Sequence, residues 1–164
     1  MGYNFNNWDS DARGTLFAGQ IRRGSQSTSK AWAEENLTAT DLAVGTFVTI
    51  NADGGVKAVS AATDIIHGLI LADIYGQTTP NDKILNIAHC NHGDEFVAVA
   101  VDGQTFARGD AINIVATGVN AGKITKAAGI ATAYIATYVS GQLVAFTRRE
   151  VPAPTPTPVS IMRA

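Results

Sequence analysis

The sequence predicts an all-β protein, a compact β-barrel or sandwich built from short hairpins, with an extended N-terminal arm and a Pro-rich C-terminal tail. The composition favours strands, because Ala, Gly, Thr, Val and Ile carry much of the chain and charged residues make up only 16%. Gly- and Asn-containing turn signals recur about every 8–12 residues, a spacing typical of sandwiches and barrels. The stretch 42–59 also reads as two short strands around a turn at Asp53-Gly54-Gly55.

A pattern related to this first hairpin recurs at residues 106–127. In both copies a small residue, a spacer and a Gly precede alternating apolar positions. We interpret this as one hairpin unit used twice, and two unrelated ordinary hairpins are the alternative. The matching positions are Ala43, Gly45, Val48 and Ile50 in the first copy, and Ala107, Gly109, Ile112 and Ile114 in the second.

Further strands are predicted between and after the hairpins. The apolar run Glu95–Val101 is expected to be a central strand buried on both faces. A Gly within a strand, such as Gly68, usually marks a bulge or a close backbone approach. The other predicted strands cover residues 64–72, 83–88, 130–136 and 138–146, the last two joined at Ser140-Gly141.

Composition divides the chain into an N-terminal arm (1–36), a β domain (37–150) and a Pro-rich tail (151–164). Within the arm, residues 29–36 suggest a short helix with Ser29 as its N-cap. Prolines at every second position of the tail favour extended polyproline II, which we interpret as a stiff spacer before an apolar plug.

The arm is polar and yet carries isolated aromatic residues, which suit docking into pockets on another protein. Packing of these aromatic residues on the protein's own β domain is the alternative. The candidate contact residues are Phe5, Trp8, Phe17, Arg22, Arg23 and Trp32.

Charge and segment composition argue against several classes. A net charge of −2 argues weakly against a general nucleic-acid binder, in which a basic stripe is expected. No apolar run approaches the roughly 20 residues that span a bilayer, and the N-terminus lacks the apolar core of a signal peptide. A single cysteine excludes an intrachain disulfide. We therefore expect no nucleic acid, no membrane and synthesis in a cytoplasm.

The cluster His89-Cys90-Asn91-His92 is the one grouping of metal-ligating residue types. A structural zinc site needs four ligands at recognisable spacing, and no second Cys pair exists. Adjacent residues of an extended chain point to opposite faces, so His89 is poorly placed to activate Cys90. We expect no catalytic residues, no metal and no cofactor, and hence no enzyme.

The residues from Ala43 to Ile74, followed by Val97 to Ile114, resemble the small capsid decoration (cement) proteins of tailed bacteriophages. The resemblance covers about residues 40–147 and implies a β domain on the outer capsid surface that bridges major capsid subunits, often as a trimer or dimer. It brings no catalytic residues. The matching positions are Gly45, Gly55, Val56, Asp64, Ile66, Gly68, Gly103, Gly109 and Asp110.

A virion adhesin or fibre-base module that binds host-surface glycans is the alternative function. It would use exposed aromatic and Asn side chains in loops, such as Tyr75 and Asn81, against sugar faces. A sedimentation assay distinguishes the two functions. Binding to bare capsids supports a decoration protein, whereas binding to host cells or polysaccharide supports an adhesin.

Overall fold

A computed structural model describes residues 16–23, 30–72, 78–79, 83–91 and 93–149. These residues form β-strands and turns with no α-helix, which confirms the predicted fold class; none of the described segments is therefore a helix long and apolar enough to cross a membrane. The strands are β1 (Ile21–Arg23), β2 (Lys30–Glu35), β3 (Leu42–Ala43), β4 (Phe47–Ile50), β5 (Val56–Ala58), β6 (Ile66–Ile70), β7 (Thr78–Thr79), β8 (Ile84–His89), β9 (Glu95–Val99), β10 (Ala111–Ile114), β11 (Ile124–Thr125), β12 (Ile130–Ser140) and β13 (Leu143–Arg148).

Two antiparallel sheets form the body. One has six strands in the order β1-β9-β13-β12-β10-β11, and the other has five in the order β2-β8-β6-β4-β5. Strands β3 and β7 form a small separate pair. The main core contains Phe47 from the five-stranded sheet with Phe96 and Phe146 from the six-stranded sheet, and all three are buried. The two sheets therefore pack as a sandwich.

Strand β9 is the central strand that the sequence predicts. It pairs with β1 on one side and with β13 on the other. Phe96 and Ala98 belong to the main core, whereas Val97 packs with Leu16 and Ala145 on the opposite face. Burial on both faces explains why this strand is almost continuously apolar.

The repeated sequence pattern corresponds to a repeated three-strand unit. Hairpin β4–β5 and hairpin β10–β11 each form one edge of a sheet, and the next long strand, β6 or β12, pairs with the inner strand of its hairpin. Each unit also contains an equivalent pair of reciprocal backbone hydrogen bonds. In the first unit, Gly45 N donates to Ile70 O (2.9 Å) and Ile70 N donates to Thr46 O (3.0 Å). In the second unit, Gly109 N donates to Ala136 O (2.8 Å) and Ala136 N donates to Asp110 O (2.9 Å).

The helix predicted over residues 29–36 is wrong, because residues 30–35 form strand β2. Six successive residues of β2 pair with β8, from Lys30 opposite His89 to Glu35 opposite Ile84. Ala and Glu favour helices in isolation, but a full row of sheet hydrogen bonds outweighs these small intrinsic preferences.

The segment assigned to the N-terminal arm contributes two strands, since β1 pairs with β9 and β2 pairs with β8. Leu16 and Ala18, which precede β1, are buried. The described part of this segment therefore packs on the β domain. Residues 1–15 and the Pro-rich tail from residue 150 onward lie outside the described residues.

Candidate functional site

Three half-exposed apolar side chains lie on the first strands of the two sheets or in the turn that precedes β1. Phe17 and Ile21 are each 50% exposed and Trp32 is 51% exposed. Phe17 and Ile21 line a groove together with Ala31 of β2 and the buried Leu71. We call Phe17, Ile21 and Trp32 the edge surface, because they lie on or next to the edge strands β1 and β2. It consists of two patches, since Trp32 follows Ala31 in β2 and therefore points to the opposite face of that strand from the groove.

The turn before β1 holds Phe17 in place through backbone hydrogen bonds to both sides of the sandwich. Gly19 N donates to Val97 O (3.0 Å), and Ala72 N donates to Gly19 O (3.1 Å). Gly19 has a φ of 68°, and an added Cβ would lie 2.5 Å from Ala72 N. A glycine is therefore required here by both conformation and space, and the turn presents Phe17 on a rigid base.

Trp32 lies against a pair of histidines. Its ring centroid is 4.4 Å from that of His89 and 6.3 Å from that of His67. The two histidine rings are 4.9 Å apart in an edge-to-face arrangement. His67 Nε2 lies 3.0 Å from Glu34 Oε1, so β2, β6 and β8 are linked by these side chains.

A β-bulge brings His67 into this cluster. Gly68 lies opposite Val48 and Ile66 lies opposite Thr49, so His67 is the extra residue between them. A bulge redirects a side chain out of the regular alternation of the strand. Gly68 was singled out in the sequence as such a position, but the grouping of Glu34, His67 and Trp32 was not predicted.

Burial makes His89 harder to protonate. The pKa of His89 lies below its ordinary value of 6.5, first because burial disfavours the charged ring and then because His67 lies beside it. Its Nε2 atom is buried and has no hydrogen-bond partner among the described residues. His89 is consequently neutral at pH 7 and serves as an aromatic surface for Trp32.

Arg22 is engaged within the chain. Its Nη1 lies 3.2 Å from Glu95 Oε1, and its guanidinium lies 5.1 Å from the ring centroid of Tyr138. Thr137 donates a further, short hydrogen bond to the same Glu95 oxygen. Arg23 lies opposite Glu95 in the strand register. Arg22 thus fixes β1 on the six-stranded sheet.

The remaining predicted positions are not brought together into a chemical site. Cys90 is buried in the main core, and burial raises the pKa of its thiol, which disfavours the reactive thiolate. His89 faces Trp32 instead. No group of three or more metal-ligating side chains occurs in the described part of the chain. Four predicted contact positions lie outside the described residues, namely Phe5 and Trp8 for the capsid and Tyr75 and Asn81 for glycans.

The rigid sandwich and the apolar edge surface define a structural binding protein. A family model described as "XM1 gp53 minor capsid protein" matches residues 5–147, and the chain belongs to this family. It is a structural minor capsid component of a phage head. Membership of a structural capsid family argues against an enzyme.

The fold recurs in a solved capsid structure. One chain of "The capsid of Myoviridae Phage XM1" aligns with a TM-score of 0.65 at 16% identity, covering 88% of this chain and 97% of that chain. At this identity the match establishes a shared fold. No curated protein sequence matches the chain.

Proposed function

We propose that this protein binds the outer surface of the phage head and bridges neighbouring major capsid subunits, which stabilises the shell. It acts as a homo-oligomer, with a trimer favoured over a dimer. Phe5, Trp8, Phe17 and Trp32 contact the capsid, and residues 1–15 form the part of the N-terminal arm that reaches beyond the β domain. Arg22 and Arg23, which are both in β1, also take part in this capsid contact.

The observation that carries the proposal is the exposure of Phe17, Ile21 and Trp32 on the edge strands. Large apolar side chains that stay half exposed on a rigid base are typical anchors of protein interfaces. The unpaired backbone groups of the edge strands β1 and β2 can also add a strand from a partner.

Both chain ends reinforce this arrangement. Fifteen residues precede Leu16 and fifteen follow Arg149, and each end carries apolar side chains. Two weak docking segments on one rigid body multiply their affinities through effective concentration. Repetition over a shell therefore makes modest individual contacts sufficient.

Co-sedimentation with shells that lack this protein tests the proposal. Trp32→Ala should weaken binding by about 1–3 kcal/mol, roughly 5- to 150-fold in Kd, because it removes a central anchor. The control is Val119→Ala, since Val119 is 100% exposed near the opposite edge of the six-stranded sheet. Equal binding of both variants and the parent protein would exclude Trp32 as a capsid contact.

A further inference from the structure

Strand β12 is longer than the strand that pairs with it. β12 runs from Ile130 to Ser140, whereas β13 ends at Arg148, opposite Tyr134. The last contact between them is Arg149 N to Ala133 O, at 2.9 Å. Among the described strands, only β13 pairs with this side of β12, which leaves residues 130–132 open there.

A groove of mixed polarity follows this open stretch of β12. Its apolar lining comes from Ile65 and Ile66 at the start of β6 and from Ile130 and Tyr134 of β12. Its polar lining comes from Asp64, Thr132 and Arg148. Ile65 is 82% exposed. The groove therefore lies on the line that β13 would take if it continued past Arg149.

The proline spacing of the tail matches a strand with only one hydrogen-bonding edge. Because Arg149 N–H points to β12, the N–H groups of every second residue after it point the same way in an extended chain. These are Val151, Ala153, Thr155 and Thr157, and none is a proline. In the same extended chain, the backbone nitrogens that would face away from β12 are those of Pro152, Pro154, Pro156 and Pro158, which carry no N–H.

We propose that residues 150–154 occupy this groove as a continuation of β13. Val151 pairs with Ala131, two residues beyond the Arg149–Ala133 contact. Pro152 falls opposite Ile130 and covers the apolar part of the groove beside Ile65. The prolines then leave no donor on the outer edge, so that no further strand can add there.

Docking of these residues gives the rest of the tail a fixed starting point and direction. The ten residues 155–164 can span up to roughly 33 Å when extended. They carry the apolar residues Val159, Ile161 and Met162 away from the sandwich. The prolines thus close a sheet edge near the body and stiffen the segment beyond it.

Amide hydrogen exchange of Ala131, followed by NMR in the full chain, tests this docking. Val151→Pro removes the donor that faces β12 and should accelerate Ala131 exchange at least about tenfold. Thr157→Pro is the matched control, because it also removes an N–H on the side that faces β12, but at a position beyond the docked residues 150–154. It should leave Ala131 protected, and core amides of β9 should be unaffected in both variants.

Equal Ala131 exchange in the parent chain and in Val151→Pro would overturn the proposal. An equal effect of Thr157→Pro would also overturn it, since the register would then not matter. Protection that disappears on dilution would show that the tail of another copy fills the groove, which contradicts docking of the chain's own tail.

Discussion

Trp32, His67 and His89 meet at the edge of the five-stranded sheet. Burial of the His89 ring at this site disfavours its protonation. The His89 ring packs against Trp32, and its Nε2 has no acceptor among the described residues. Protonation would place a positive charge on the partly buried His89 ring beside His67, whose Nε2 lies 3.0 Å from Glu34 Oε1. The edge strand that carries Trp32 is therefore sensitive to pH.

We predict that the protein loses stability as the pH falls below about 6.5. The folded-state pKa of His89 is lowered, so the unfolded state binds more protons between that lowered value and 6.5. Asp64 and Asp110, whose pKa values are lowered by backbone hydrogen bonds, act only near and below 3.8. Thermal unfolding from about pH 7.5 to 5 should show this decline, and His89→Phe should reduce it. Identical pH profiles for both proteins would contradict the assignment to His89.

Two glycines with nearly the same backbone conformation should differ in their tolerance of alanine. Gly55 has a φ of 63° and Gly141 a φ of 61°. An added Cβ at Gly55 would lie 2.1 Å from Glu35 O, whereas at Gly141 it meets nothing within 4 Å. Gly141→Ala should cost about 1–2 kcal/mol from strain alone, and Gly55→Ala clearly more. Equal losses in chemical denaturation would show that the approach to β2 relaxes at no cost.

At the scale of elements, β1 and β2 connect the N-terminal segment to the body. Each is an edge strand, and the turn before β1 hydrogen-bonds to Val97 of one sheet and to Ala72 beside the other. Leu16, Ala18 and Asn36 are buried. Residues 16–23 and 30–36 thus pack on the β domain.

Two N-terminal deletions should accordingly behave differently. Removing residues 1–15 should leave the melting transition unchanged, because this polar stretch has no run of apolar residues that could add a buried strand to the core. Removing residues 1–36 should destabilise the domain by more than about 3 kcal/mol, since it strips two strands and opens β8 and β9. An unchanged transition for the longer deletion would mean that β1 and β2 add nothing to the fold.

The hairpins could be predicted from sequence because their signals are local. In the repeated unit, Gly45 and Gly109 have φ values of 78° and 93°, and the apolar alternation that follows them marks β4 and β10. Strand β2 could not be predicted in this way. Its local preference is helical, and its pairing partner β8 lies some fifty residues further along the chain.

The edge surface was only partly predictable for the same reason. Phe17 and Trp32 stand out in the sequence as aromatic residues in a polar segment. Ile21 does not stand out, and Arg22, which suggested an external partner, pairs with Glu95 more than seventy residues away. The bulge that redirects His67 depends on the register between β4 and β6, which no local pattern specifies.

At the scale of the whole molecule, the described residues form a sandwich with exposed apolar side chains at its edge strands β1 and β2. Its sheets share a single aromatic core, and most of its polar turns are held by backbone hydrogen bonds. Such a body transmits force between whatever its edge surface and its ends bind. That property is what a bridging component of a capsid shell requires.

Cryo-electron microscopy of phage heads with and without this protein tests the central claim most directly. The account predicts additional density on the outer surface, with each sandwich contacting at least two major capsid subunits and the edge surface of Phe17, Ile21 and Trp32 at the contact. Density on the inner surface, or a sandwich that contacts one subunit only, would contradict the bridging role.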